Sequence, residues 1–216
     1  MLFVHSLAGN TTQWAAQLAH LRPRRRTVAL DLRGHGRSAE PADGAYAIPA
    51  IAGDVAAVAD ALDLQRFVLV GHSAGGAVAV ASAADLADRV AGLLLVDPNG
   101  DQRLLPAEML ATFLTDLESP AYRDTVRAHW TRITEGGDPA VRAAVMRDLE
   151  STPQRTFVEI FRALSAFEPI PALERYRGPK LSLISALNET PIALAPAHAR
   201  SATSAGVGDR TLDPHG

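Results

Sequence analysis

A serine set between two glycines, Gly71-His72-Ser73-Ala74-Gly75, follows the apolar run Phe67-Val68-Leu69-Val70 and precedes the apolar stretch Ala77 to Ala84. A serine hydroxyl is a weak nucleophile. It attacks a carbonyl only with a base in hydrogen-bond reach and donors facing the oxygen that takes up charge. A strand that turns sharply into a helix serves this chemistry, because it lifts the serine clear of the sheet and leaves the Ala74 N–H free at the helix start. Gly71 and Gly75 let backbone and helix close on that turn. The pattern marks Ser73 as a nucleophile for acyl transfer. The loop Ser6-Leu7-Ala8 supplies the second oxyanion donor, from Leu7, with Ser6 and His72 bordering the same place. His72 is a poor base, since neighbours on a tight turn diverge.

The remaining histidines divide by setting. His5 closes the first apolar run and reads as a loop-shaping residue. His35, inside Asp31-Leu32-Arg33-Gly34-His35-Gly36-Arg37-Ser38, reads as a loop organiser. His20, His129 and His198 have no ligand spacing that suits a metal. The chain has no cysteine, which excludes disulfides, thiolate catalysis and Cys-ligated metal. With no dinucleotide fingerprint either, no cofactor is expected.

Several short apolar runs must position these residues. Leu2-Phe3-Val4, Thr27 to Leu30, Phe67 to Val70, Ala91 to Val96 and Lys180 to Ser185 read as strands, with Arg210-Thr211-Leu212 a sixth. Most are continuously apolar, as in a parallel sheet covered on both faces. Helices are predicted over Thr12 to Leu21 and Pro49 to Leu62, the latter burying Ile51, Val55, Val58 and Leu62. The order of strands and helices predicts an α/β fold, a mostly parallel open sheet with flanking helices. From Asp101 to Tyr176 no strand is convincing. Four helices, Pro106 to Leu117, Ala121 to Thr134, Pro139 to Glu150 and Gln154 to Phe167, read as an inserted lid. Its Phe113, Trp130, Phe157, Phe161 and Phe167 either pack within the lid or line a substrate pocket. The expected organisation is a sheet-and-helix core over 1–100, a helical lid over 101–176, and the incomplete remainder of the core over 177–216.

The 216 residues suffice for one sizeable core. With 21 basic against 24 acidic residues and a net charge of −3, no nucleic-acid partner is expected. The run Arg22-Pro23-Arg24-Arg25-Arg26 reads as a solvated loop, with an anion contact as the alternative. No run reaches membrane-spanning length and no signal-like segment opens the chain. The expectation is a cytoplasmic protein with a small-molecule substrate and no membrane partner.

Taken together, these segments resemble the α/β-hydrolase fold family, in its serine-nucleophile branch. Leu2 to Gly9 resembles the family's oxyanion-loop strand, with Ser6 where a glycine is common. Asp31 to Ser38 resembles its Asp-x-x-Gly-x-Gly-x-Ser loop, Gly71 to Gly75 its nucleophile elbow, and Val90 to Asp97 the strand that follows. The segment Pro179 to Pro191 resembles the strand that delivers the family's catalytic acid, which falls on Glu189. Asp97, at the end of the strand after the elbow, is the position some relatives use instead. The resemblance also implies a histidine after the last strand, where His215 stands, 26 residues beyond Glu189. The family's opening hairpin and closing helix are not recognised, so the chain is expected to be shortened at both ends, or a reduced member that forms oligomers. The implied activity is hydrolysis of a small, apolar ester or related acyl compound. The alternative is a ligand-binding or truncated inactive homologue lacking a competent base.

Overall fold

The structure is a computed structural model that describes residues 1–185. Its centre is a sheet of five strands: β1 (Leu2–Val4), β2 (Val28–Leu30), β3 (Phe67–His72), β4 (Val90–Val96) and β5 (Lys180–Leu183). All pairs are parallel and the order is β2-β1-β3-β4-β5. β3 is therefore flanked by β1 and β4, with Val4 beside Gly71 and Val96 beside His72. The C-terminal ends of these three strands, and the loops that leave them, meet at one rim.

Apolar residues on both faces of the strands bury against helices. On one face Leu2, Val4, Leu69, Leu93 and Leu95 join the main core. Over them lie α2 (Ile48–Ala61), α3 (Ala74–Leu86) and α8 (Pro169–Arg175). On the other face Phe3 and Val70 pack with Trp14 and with Leu18 of α1 (Ala15–Leu21). Pro49 fits the first turn of α2, where its missing N–H costs nothing. In α3 every residue from Ala74 to Ala83 is buried. Small side chains around the whole helix let it sit close to the sheet, as suits a helix without a solvent face.

Between β4 and α8 run α4 (Ala107–Glu118), α5 (Tyr122–Ile133), α6 (Pro139–Ser151) and α7 (Gln154–Ala166). They enclose a second apolar cluster of Leu117, Val126, Leu149, Phe157 and Val158, which also takes in Ala8 and packs against Leu7. α7 joins the two cores, since its Ile160 and Leu164 belong to the main one. No helix among the described residues is long and apolar enough to cross a membrane.

The predicted architecture is the observed one, with local differences. The helix expected from Thr12 begins as a 3₁₀ turn, Thr11–Trp14, because Asn10 caps it by accepting from Thr12 N–H. β3 runs on to His72, and β5 ends at Leu183 rather than Ser185. Of the stripe expected of α2, Ile51 and Val55 are buried, Val58 and Leu62 pack against the core partly buried, and Ala59 joins them fully buried. α8 went unrecognised because proline stands at its first and third positions. Phe167 packs against the main core, not the second cluster. The sixth strand expected at Arg210 to Leu212 lies outside the described residues.

Candidate active site

Ser73 sits between β3 and α3 with φ 51° and ψ −119°, in the left-handed half of conformational space. Such a conformation costs a residue other than glycine about 1–3 kcal/mol, so its surroundings must hold it. Its N–H donates to Val96 O at 3.1 Å, and its carbonyl accepts from Gly76 N–H at 2.8 Å. The turn is also jammed against β1. A Cβ on Gly75 would lie 2.3 Å from His5 O and 2.7 Å from Val4 O, and one on Gly71 would lie 2.4 Å from Gly75 O. The glycines on either side of the serine are thus required by backbone contact.

The same contact brings the loop after β1 to the nucleophile turn. Ala74 is the first residue of α3, where helix N–H groups have no partner within the helix, and no acceptor for its N–H is found among the described residues. No hydrogen bond to the Leu7 N–H is found among the described residues. Ser6 donates through its hydroxyl to Leu7 O at 3.2 Å, and its N–H donates to Gln13 Oε1 at 3.3 Å. The hydroxyl is thereby turned into the loop.

Two buried histidines fasten this loop to the one after β2. His5 Nδ1 donates to Ser6 O at 2.7 Å, while its Nε2 accepts Leu32 N–H at 2.9 Å. His35 reciprocates: its Nε2 accepts Ala8 N–H at 3.1 Å, and Nδ1 donates to Arg33 O at 3.0 Å. Each ring donates once and accepts once, as only a neutral imidazole can. Burial, with His35 close by, pushes His5 down to about 4, and burial lowers His35 as well. Asp31 adds a third tie, accepting Thr11 N–H at 2.7 Å and Arg37 N–H at 3.1 Å. Burial alone would raise its carboxyl, but the N–H groups of Arg37 and Thr11 outweigh that and hold it below its ordinary value. Arg33 then forks onto Asp54 of α2, with contacts of 2.7 and 2.6 Å.

Of the two acids expected from the sequence, Asp97 is described. It follows β4 directly, at φ 45°, and Ser185 engages both its carboxylate oxygens, N–H on Oδ1 and hydroxyl on Oδ2, each at 2.9 Å. Glu189 and His215 lie outside the described residues, as does His198. His72 is part-buried, edge-on to Trp14 at 6.3 Å, and burial lowers its pKa although Asp97 pulls it up. His129 lies in the inserted helices between Phe113 and Trp130.

Asn99 is the residue that sequence reasoning missed. Its Oδ1 accepts the Ser73 hydroxyl at 2.9 Å, and its N–H donates to Ser73 O at 3.3 Å. The available signal was its place three residues past the end of β4, the strand next to β3.

Among the described residues no group of three or more His, Cys, Asp or Glu is placed to hold a metal ion. An apolar groove of about 370 Å³ runs between Ile48 of α2 and Phe167 and Pro171, and none of the described site residues lines it.

The family model for the alpha/beta hydrolase fold matches residues 1–189. A stretch of 98 residues is 42% identical to a putative carbamate hydrolase of Variovorax paradoxus, covering 45% of this chain and 37% of that protein. Such matches span between 26% and 37% of the curated relatives' own length. The enol-lactonase from Burkholderia xenovorans superposes with a TM-score of 0.73 at 26% identity, over 88% of this chain and 74% of that one. A hydrolase from Pseudomonas aeruginosa does so with a TM-score of 0.74 at 25% identity, over 86% and 71%.

Proposed function

The chain belongs to the alpha/beta hydrolase fold family, and within it we propose a serine hydrolase that cleaves a small, apolar ester or related acyl compound through an acyl-enzyme. The observation that carries this reading is Ser73 itself. It is held at a strained turn, its hydroxyl free of the sheet, with the Ala74 N–H beside it and the Leu7 loop pressed against the turn. An enol-lactone and a carbamate are both acyl compounds, so the two named relatives support the substrate class.

Ser73 Oγ attacks the acyl carbon, and its proton passes to His215. The Ala74 and Leu7 N–H groups take the charge on the former carbonyl oxygen. His215 returns the proton to the leaving group, and water then releases the acyl group by the same route. His5 and His35 have both ring nitrogens occupied, which supports His215 for the base. Glu189, or Asp97 with one hydrogen bond from Ser185 on each of its oxygens, supplies the carboxylate that orients it. The helices α4 to α7 form the lid, limiting substrate size and water access.

The test is hydrolysis of p-nitrophenyl butyrate by the 216-residue chain beside Ser73→Ala and His215→Ala. Each substitution is expected to lower kcat by at least about 10³-fold. Loss with Ser73→Ala alone places the base elsewhere. A second reading, a binding protein without a competent base, is favoured by one observation: the Ser73 hydroxyl is bonded to an amide oxygen. An inactive parent chain with a sharp thermal melt supports it.

A further inference from the structure

We propose that Asn99 is a positioning residue that parks the Ser73 hydroxyl in the resting protein, in competition with the base that must take its proton. This rests on Ser73 being the nucleophile. Asn99 grips the serine at two points, its amide oxygen accepting a hydrogen bond from the hydroxyl at 2.9 Å and its N–H donating to the serine carbonyl at 3.3 Å. The grip is built in. Pro98 is pressed on the first turn of α3, where a Cβ on Gly76 would lie 2.8 Å from Pro98 Cβ. On the other side, Asp97 N–H donates to Leu183 O at 2.6 Å, and its carboxylate is engaged by Ser185. The segment Asp97-Pro98-Asn99 thus runs from the end of β5 to the nucleophile with both ends tied.

The chemistry of the pair gives the proposal its direction. A side-chain amide oxygen accepts a hydrogen bond but is too weak a base to take the proton. When Oγ bonds to an acyl carbon, that proton must go to an imidazole, so the O–H must first turn away from Asn99. The Ser73–Asn99 bond is therefore a brake on acylation. An aspartate at the same place offers a charged acceptor and holds the proton more tightly, since charge-assisted bonds are roughly twice as strong.

Two measurements test this. The first is the rate at which a fluorophosphonate labels Ser73 in the 216-residue chain, read by intact mass, for wild type, Asn99→Ala and the isosteric Asn99→Asp. The brake predicts faster labelling in Asn99→Ala, by roughly 2- to 12-fold for one net hydrogen bond, and slower labelling in Asn99→Asp. The second is a thermal double-mutant cycle with Ser73→Ala and Asn99→Ala, in which the shifts are non-additive because the two side chains are bonded. Ser73-dependent labelling that is slower or unchanged in Asn99→Ala overturns the brake, and so do additive melting shifts. No labelling of any variant, with the thermal coupling intact, removes Ser73 as nucleophile and takes the brake with it.

Discussion

The loops after β1 and β2 are fastened by side chains that are themselves buried. His5, His35 and Asp31 each bond backbone groups across the gap between the two loops. Helices α4 to α7 are held differently. Outside, exposed arginines pair with glutamates, as Arg123 with Glu150 at 3.1 Å and Arg162 with Glu159 at 2.8 Å. Inside, one apolar cluster holds them together, with Phe113 on Phe161 at 4.9 Å and Trp130 on Phe157 at 5.7 Å between ring centroids. Buried polar bonds have one satisfactory geometry, because a misplaced partner leaves a buried group unpaired. Apolar packing tolerates rearrangement at constant volume. The region proposed to hold the oxyanion donors is fixed, and the region over it is adaptable. The two meet at Leu7, whose side chain packs against both cores.

Substitutions graded by size test that contrast. The largest effect is expected from Gly75→Ala, because the new Cβ meets two backbone oxygens that cannot swing aside. A loss of about 3 kcal/mol or more, near the upper end for overpacking, is expected in denaturant melts. A mild loss would show that the turn can yield.

Acid is the next lever. His5 is held near 4 in the fold against its ordinary 6.5, so between these values the unfolded chain binds the extra proton. Stability is then full above pH 6.5 and is lost as pH falls towards 4. For His5 the loss is of the order of 3 kcal/mol, and His35 contributes in the same direction. Equal melting midpoints at pH 7 and pH 4.5 would refute the histidine ties.

A smaller change is expected from Tyr46→Phe. Tyr46 OH and Thr156 Oγ1 lie 3.1 Å apart and link the loop before α2 to α7. Removing that hydroxyl leaves the Thr156 bond to Gly34 O in place, so a cost of about 1 kcal/mol is expected. The smallest is Arg162→Ala, whose exposed pairing with Glu118 and Glu159 should matter little. Its melting midpoint is expected to move by less than about 2 °C. A larger shift would mean that the outer helices depend on surface charge after all.

The fold was legible wherever pattern and punctuation agreed. The apolar runs at Phe67 and Val90 became neighbouring strands, and Pro139 and Gln154 open helices as the spacing predicts. α8 was hidden because its two prolines read as breakers, whereas both fall in a first turn that needs no N–H. At the site, Ser73 and the loop of Leu7 were readable because glycine spacing records backbone contact. Asn99 was not, since its place beside Ser73 depends on two strands lying side by side and a polar residue in a loop carries no mark of its partner. The reciprocal bonding of His5 and His35, 30 positions apart in the chain, was equally beyond sequence pattern.

The unbroken burial of α3 from Ala74 to Ala83 bears on how long the nucleophile turn lasts. A segment opens on its own only if its exposure costs less than unfolding the whole. α5 buries only Val126 and can fray locally, so its amides should exchange with deuterated water early. α3 lies within the main core and has no face to release. Its amides should exchange last, at the rate of global unfolding. Ser73, which caps that helix, then shares the lifetime of the fold, and the turn survives motions that loosen everything above it.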